Sequence, residues 1–134
     1  GEKNSEFEEK LKKINSKISI FYSYYKLINS ENFKDKNILA FAGIGNPENF
    51  FDLLIESGLN VKETISFPDH YDFKKKEVLE IIEKAKKQNY TILTTEKDFL
   101  RIKNFNFSEI SSCNIKLEIK KKSDLIALIK KIYD

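Results

Sequence analysis

His70 is the only histidine in the chain and follows Pro68 and Asp69 in the run FPDHY at residues 67–71. An imidazole titrates near ~6.5, so it can exchange a proton close to neutral pH, and a neighbouring carboxylate can favour its charged form or fix its tautomer. Upstream, residues 39–51 read LAFAGIGNPENFF. The loop Gly43-Ile44-Gly45-Asn46-Pro47 brings free backbone N–H groups and a positive helix end to one point, and glycine there leaves room for a phosphate to approach. A third run, Thr94-Thr95-Glu96-Lys97-Asp98, offers hydroxyls, carboxylates and an ammonium within five residues. Amides at one strand end and a titratable base at the next are what an α/β sheet gathers at its carboxyl edge.

Each run also has a reading without chemistry. The glycine loop serves as a tight βα turn with no ligand, and the third glycine of a dinucleotide fingerprint is absent, because that position holds Glu48. No GxxxxGK[ST] phosphate loop occurs anywhere. His70 fits equally a surface loop, and since adjacent strand residues point to opposite faces, Asp69 need not touch it. Tyr71 and Asp72 read as packing and capping residues. Thr95 and Asp98 have the spacing of a capping box, which leaves Glu96 and Lys97 to solvent. Cys113 has no activating partner in the sequence and reads as inert.

The elements that must position these residues alternate regularly from Asn37. Ile38–Ala42 is wholly apolar, as a strand buried on both faces should be. Asn46 is a good N-cap with Pro47 at the first helical position, and Gly58 a natural stop. Val61–Phe67 reads as the next strand. Val78, Ile81, Ile82 and Ala85 then mark one helical face. Tyr90–Thr94 and Ile115–Ile119 read as strands. Leu125, Leu128, Ile129 and Ile132 predict the inner stripe of a last helix, capped by Ser123. Before Asn37 the pattern is weaker: residues 4–15 carry a narrow apolar stripe, and Ile18–Leu27 is β-branched and aromatic, which predicts a strand. The alternation predicts a Rossmann-like three-layer α/β domain, with a mostly parallel sheet and helices on both faces. A single domain over 1–134 follows, with a βα core from 37 and an N-terminal helix and strand over 1–36.

Composition limits the function classes. The net charge is +3, and the lysine clusters at 74–76, 84–87 and 120–122 are interspersed with acids, which reads as a solvated surface rather than a nucleic-acid site. A weak attraction to anionic lipid headgroups fits the same clusters. There is no zinc-ligand set, and no apolar run approaches the ~20 residues that span a bilayer. A lone cysteine excludes an intrachain disulfide and fits a reducing compartment. The absence of methionine, with Gly1 at the start, predicts a piece of a longer protein.

LAFAGIGNPENFF, FPDHYDF and TILTTEKDFLRI, in that order and spacing, resemble the C-terminal part of the tetraacyldisaccharide 4'-kinases, the lipid A 4'-kinases of Gram-negative bacteria. The resemblance covers residues 37–103 well and the flanks weakly. It implies transfer of the ATP γ-phosphate to the 4'-hydroxyl of a lipid-linked disaccharide 1-phosphate at the cytoplasmic face of the inner membrane. ATP and Mg²⁺ would be bound mainly by an N-terminal phosphate-loop domain that this chain lacks, so the chain alone is expected to be inactive. By the same resemblance His70 takes part in catalysis, facing an aspartate from that domain, with Asp69 supporting it. Gly43, Gly45 and Asn46 would form part of the cleft, together with Glu96, Lys97 and Asp98 in roles left open. Two other readings stand beside this one: a stand-alone phosphate- or nucleotide-binding module, and a docking domain whose motifs only pack and cap.

Overall fold

The computed structural model describes residues 3–133. In chain order its elements are α1 (Ser5–Ile14), β1 (Ser23–Leu27), β2 (Asn37–Ala42), α2 (Pro47–Glu56), β3 (Asn60–Ser66), α3 (Lys75–Gln88), β4 (Thr91–Thr95), α4 (Glu96–Ile102), β5 (Ile110–Cys113), β6 (Ile115–Ile119) and α5 (Lys122–Tyr133). Short 3₁₀ turns cover Ser30–Phe33 and Lys103–Phe105. They divide into a unit over Leu27–Lys116 and a second unit formed by the segments before and after it.

In the first unit four strands pair in the order β3-β2-β4-β5, all parallel. The uninterrupted apolar run of β2 is explained by its place in the middle. Ile38, Ala40 and Ala42 pack with Phe50, Phe51 and Leu54 of α2 on one face. Leu39 and Phe41 pack with Val78, Ile81, Ile82 and Ala85 of α3, and with Ile102 of α4, on the other. Period-two alternation along the strand thus feeds two separate cores, and the expected α/β architecture with helices on both faces is what forms. Leu27 and Phe33 belong to the first of these cores, so the unit begins ahead of the β/α alternation.

Local chemistry sets the element ends. The Asn46 side chain accepts from the Asn49 N–H at 3.3 Å, and Pro47 opens α2. Gly58 follows the helix with φ +80°, where a side chain would be strained. The chain leaves β2 for β3 on one side and returns through α3 to β4 on the other. The strand order therefore reverses between β2 and β4, the place where open α/β sheets set their ligand crevices.

The second unit departs from expectation in three places. Pairing of β1 with β6 starts at Ser23 rather than Ile18, because β6 offers only five residues to pair with. Ser123 does not cap α5; it lies inside the helix, which begins at Lys122 after Lys121 turns through φ +57°. The stripe Leu125, Leu128, Ile129 and Ile132 is not an inner one, since no residue of α5 is buried and Ile129 and Ile132 are exposed. Helical spacing identifies a face, but burying it takes a partner layer. Among the described residues, this unit holds α1 and the two-stranded ribbon besides α5.

Candidate functional site

The carboxyl ends of β2, β3 and β4 each deliver one of the motifs, and all three belong to the Leu27–Lys116 unit. After β4, Thr95 caps α4 by accepting from the Asp98 N–H at 3.1 Å. The reciprocal half of the expected capping box does not form. Asp98 Oδ2 instead takes the Thr95 hydroxyl at 2.9 Å and the Gly43 N–H at 2.8 Å. Asp98 is 0 % exposed, so its carboxylate lies beneath the surface at this edge of the sheet. Its carboxylate sits on the very amide that a bound phosphate would use at a glycine turn.

Gly43 is crowded for a reason other than phosphate access, whereas Gly45 has room for a Cβ at ordinary contact distance. A Cβ on Gly43 would stand 3.2 Å from Phe73 Cζ, 3.3 Å from Tyr71 Cβ and 3.4 Å from the Pro68 carbonyl oxygen. On Gly45 it would meet Asp69 Oδ2 at 3.4 Å. What approaches the glycine turn is the FPDHY loop itself. That loop rests on a cluster of rings, with Phe67 packed at 4.9 Å on Tyr71 and 5.0 Å on Phe73, centroid to centroid.

His70 is the third residue of a turn closed by the Tyr71 N–H and the Pro68 carbonyl at 3.2 Å. Its φ is +58°, a left-handed conformation that costs a non-glycine residue about 1–2 kcal/mol. Strain of this kind persists where the surroundings over-determine it, and it clusters at functional sites. The turn leaves the imidazole 70 % exposed. Asp69 does touch His70, chiefly through the backbone: its Oδ1 accepts the His70 N–H at 2.9 Å, while Oδ2 stands 3.7 Å from Nε2.

The residue that ties the three motifs together is one the sequence reading passed over. Arg101 Nη1 donates to the Gly43 carbonyl at 3.0 Å and to Asp98 Oδ1 at 2.9 Å. Its Nη2 lies 3.0 Å from His70 Nδ1. The available signal was the Asp98/Arg101 spacing of three residues on one helix, which places both on one side. The other candidates are more peripheral. Asn46 caps α2, Glu96 is exposed in the first turn of α4, and Lys97 reaches only 4.0 Å from Asp69, both about half exposed. Such a pair contributes little.

Two further groups fix the frame. Glu77 accepts the Lys74 N–H at 2.9 Å and the Tyr71 hydroxyl at 2.7 Å, joining the loop to the start of α3. These bonds, the Lys74 amide first, hold its carboxyl below the ordinary 4.5, and the same contact raises the Tyr71 phenol above 10.0. A lowered carboxylate stabilises the fold above its unfolded value, and that contribution is lost as pH falls through the folded value. Glu77→Gln should therefore be less stable than wild type at neutral pH, with the gap closing below about pH 4.5, as urea midpoints along an acid series would show. Cys113 lies in the core, and burial pushes its thiol up to about 12, which makes it inert. Among the described residues no group of three or more His, Cys, Asp or Glu side chains could hold a metal ion.

A family model described as tetraacyldisaccharide-1-P 4'-kinase matches residues 2–134. The tetraacyldisaccharide 4'-kinase of Pelagibacter ubique is 41% identical over 119 residues, 88% of this chain but 38% of that protein. That of Parvibaculum lavamentivorans is 38% identical over 101 residues, covering 75% and 29%. The chain thus spans well under half the length of these relatives. The fold is similar to that of LpxK from Aquifex aeolicus, solved in an "apo" form in complex with ATP, with a TM-score of 0.54 at 24% identity over 92% of this chain and 41% of the other.

Proposed function

Because the chain belongs to the tetraacyldisaccharide-1-P 4'-kinase family, we propose that it supplies the C-terminal part of a lipid A 4'-kinase. That enzyme transfers the ATP γ-phosphate to the 4'-hydroxyl of a tetraacyldisaccharide 1-phosphate. The observation that carries this reading is His70, held on a strained turn at the sheet's carboxyl edge with its imidazole open to solvent. Phosphoryl transfer depends on positioning and on charge stabilisation more than on covalent chemistry by the protein. A wall that presents one oriented imidazole, opposite an aspartate from an N-terminal phosphate-loop domain, is a reasonable division of that work. Asp69 orients His70 by fixing its backbone N–H.

ATP and Mg²⁺ do not fit the residues described here. No three-ligand cluster exists among them, and the Gly43 amide is already taken by Asp98. In this reading both are bound mainly by the N-terminal phosphate-loop domain. The occupied amide also weighs against a stand-alone phosphate- or nucleotide-binding module. The lipid-linked substrate places the enzyme at the cytoplasmic face of the Gram-negative inner membrane, against an anionic surface. Among the described residues no helix is long and apolar enough to cross a membrane.

The test is phosphate transfer from γ-labelled ATP to tetraacyldisaccharide 1-phosphate, by the longer protein and by the 134-residue chain separately. Transfer to the 4'-position by the longer protein and none by the chain is the expected result. No transfer by the longer protein overturns the function, and turnover by the chain alone overturns the division between domains.

A further inference from the structure

Arg101 Nη2 and His70 Nδ1 stand 3.0 Å apart, a hydrogen-bond distance. A guanidinium has five N–H donors, no acceptor, and does not lose its proton in proteins. The lone pair in this contact must therefore belong to Nδ1. Neutral imidazole carries one N–H, so with Nδ1 accepting, the proton sits on Nε2. Arg101 is itself immobilised on the far side, with Nη1 shared between the Gly43 carbonyl and the fully buried Asp98 carboxylate. Asp69 Oδ2, 3.7 Å from Nε2, complements a proton on that nitrogen.

We propose that Arg101 is a positioning residue that holds His70 as its Nε2–H tautomer, so that His70 presents a hydrogen-bond donor to an anionic oxygen in the assembled cleft and is not the base that takes the substrate's proton. This rests on the reading that His70 takes part in the reaction. The geometry gives Arg101 two roles on one planar group: Nη1 locks α4 to the glycine turn, and Nη2 selects which imidazole nitrogen faces outward. Lysine at this position carries the charge but not the fork.

His70 is the only histidine, so ¹⁵N-histidine labelling of the 134-residue chain yields a single imidazole. In the neutral form Nε2 should resonate as the protonated nitrogen and Nδ1 as the unprotonated one. Arg101→Lys should add a measurable Nδ1–H population, and a tautomer ratio that is unchanged in this variant overturns the proposal. Should Arg101→Lys fail to fold, a second pair keeps the question open to measurement with Arg101 intact. In the longer protein, the glutamine amide of His70→Gln mimics Nε2–H, and the asparagine amide of His70→Asn mimics Nδ1–H. His70→Gln should retain about tenfold more kcat than His70→Asn, the rate equivalent of one hydrogen bond. Equal or higher activity for His70→Asn overturns the donor role. Backbone preference runs against the expected order, since asparagine tolerates a left-handed φ better than glutamine. The spectroscopic result needs no turnover, so it survives even if His70 proves to have no part in the chemistry.

Discussion

Replacing His70 with alanine in the longer kinase proposed for this chain should lower kcat by about 10²–10³, the range for losing one preorganised donor aimed at developing charge. The scaffold should survive the change. Alanine meets the same left-handed φ as histidine, the ring cluster of Phe67, Tyr71 and Phe73 beneath the loop is untouched, and the imidazole contributes little burial because it is mostly exposed. The loss should fall on kcat while KM stays within a few-fold, as it does when an interaction is made chiefly in the transition state. Initial rates across substrate concentration, with a thermal melt as folding control, separate the two. Turnover within a few-fold of wild type would assign this wall of the cleft to docking alone.

Asp98→Ala, by contrast, should damage the fold. It strips the acceptor from the Gly43 N–H, the Thr95 hydroxyl and the Arg101 guanidinium in one step. Leaving the buried Gly43 N–H and Thr95 hydroxyl without their acceptor costs about 1–3 kcal/mol each, and the Arg101 guanidinium, 24% exposed, loses its partner as well. For a chain of this length that lowers Tm by about 10 °C or more. Asp98→Asn keeps the shape and one acceptor oxygen and should lose less. Urea and thermal unfolding of the 134-residue chain measure both. A loss below about 1 kcal/mol for alanine would show that the turn is held by backbone packing instead.

The parts of the fold that could be read from sequence are those set by short-range rules. Uninterrupted apolar residues marked β2 as central, i, i+3, i+4, i+7 spacing marked the buried face of α3, and Asn46, Pro47 and Gly58 bounded α2. Elements failed where a distant partner decides. Ile18–Phe21 have strand chemistry but lie outside β1, and no residue of the apolar stripe of α5 is buried among the described residues. At the site, the three motifs were visible, but their connection was not. Arg101 joins segments 58 and 31 residues away, and no local pattern encodes those partners. At the glycine turn the structure shows a neighbour the sequence did not reveal: Gly43 lies close under Pro68, Tyr71 and Phe73, whose proximity is a matter of tertiary packing.

The carboxylate on the Gly43 amide has a thermodynamic consequence. A turn that waits for a soluble anion is a coupled equilibrium, and its order rises and falls with ligand concentration through RT ln(1 + [L]/Kd). Here the counter-ion is a residue of the chain, its effective concentration is set by the fold, and that linkage term is absent from the turn. The glycine turn beside His70 is therefore held by the chain's own carboxylate, with no soluble anion needed to order it.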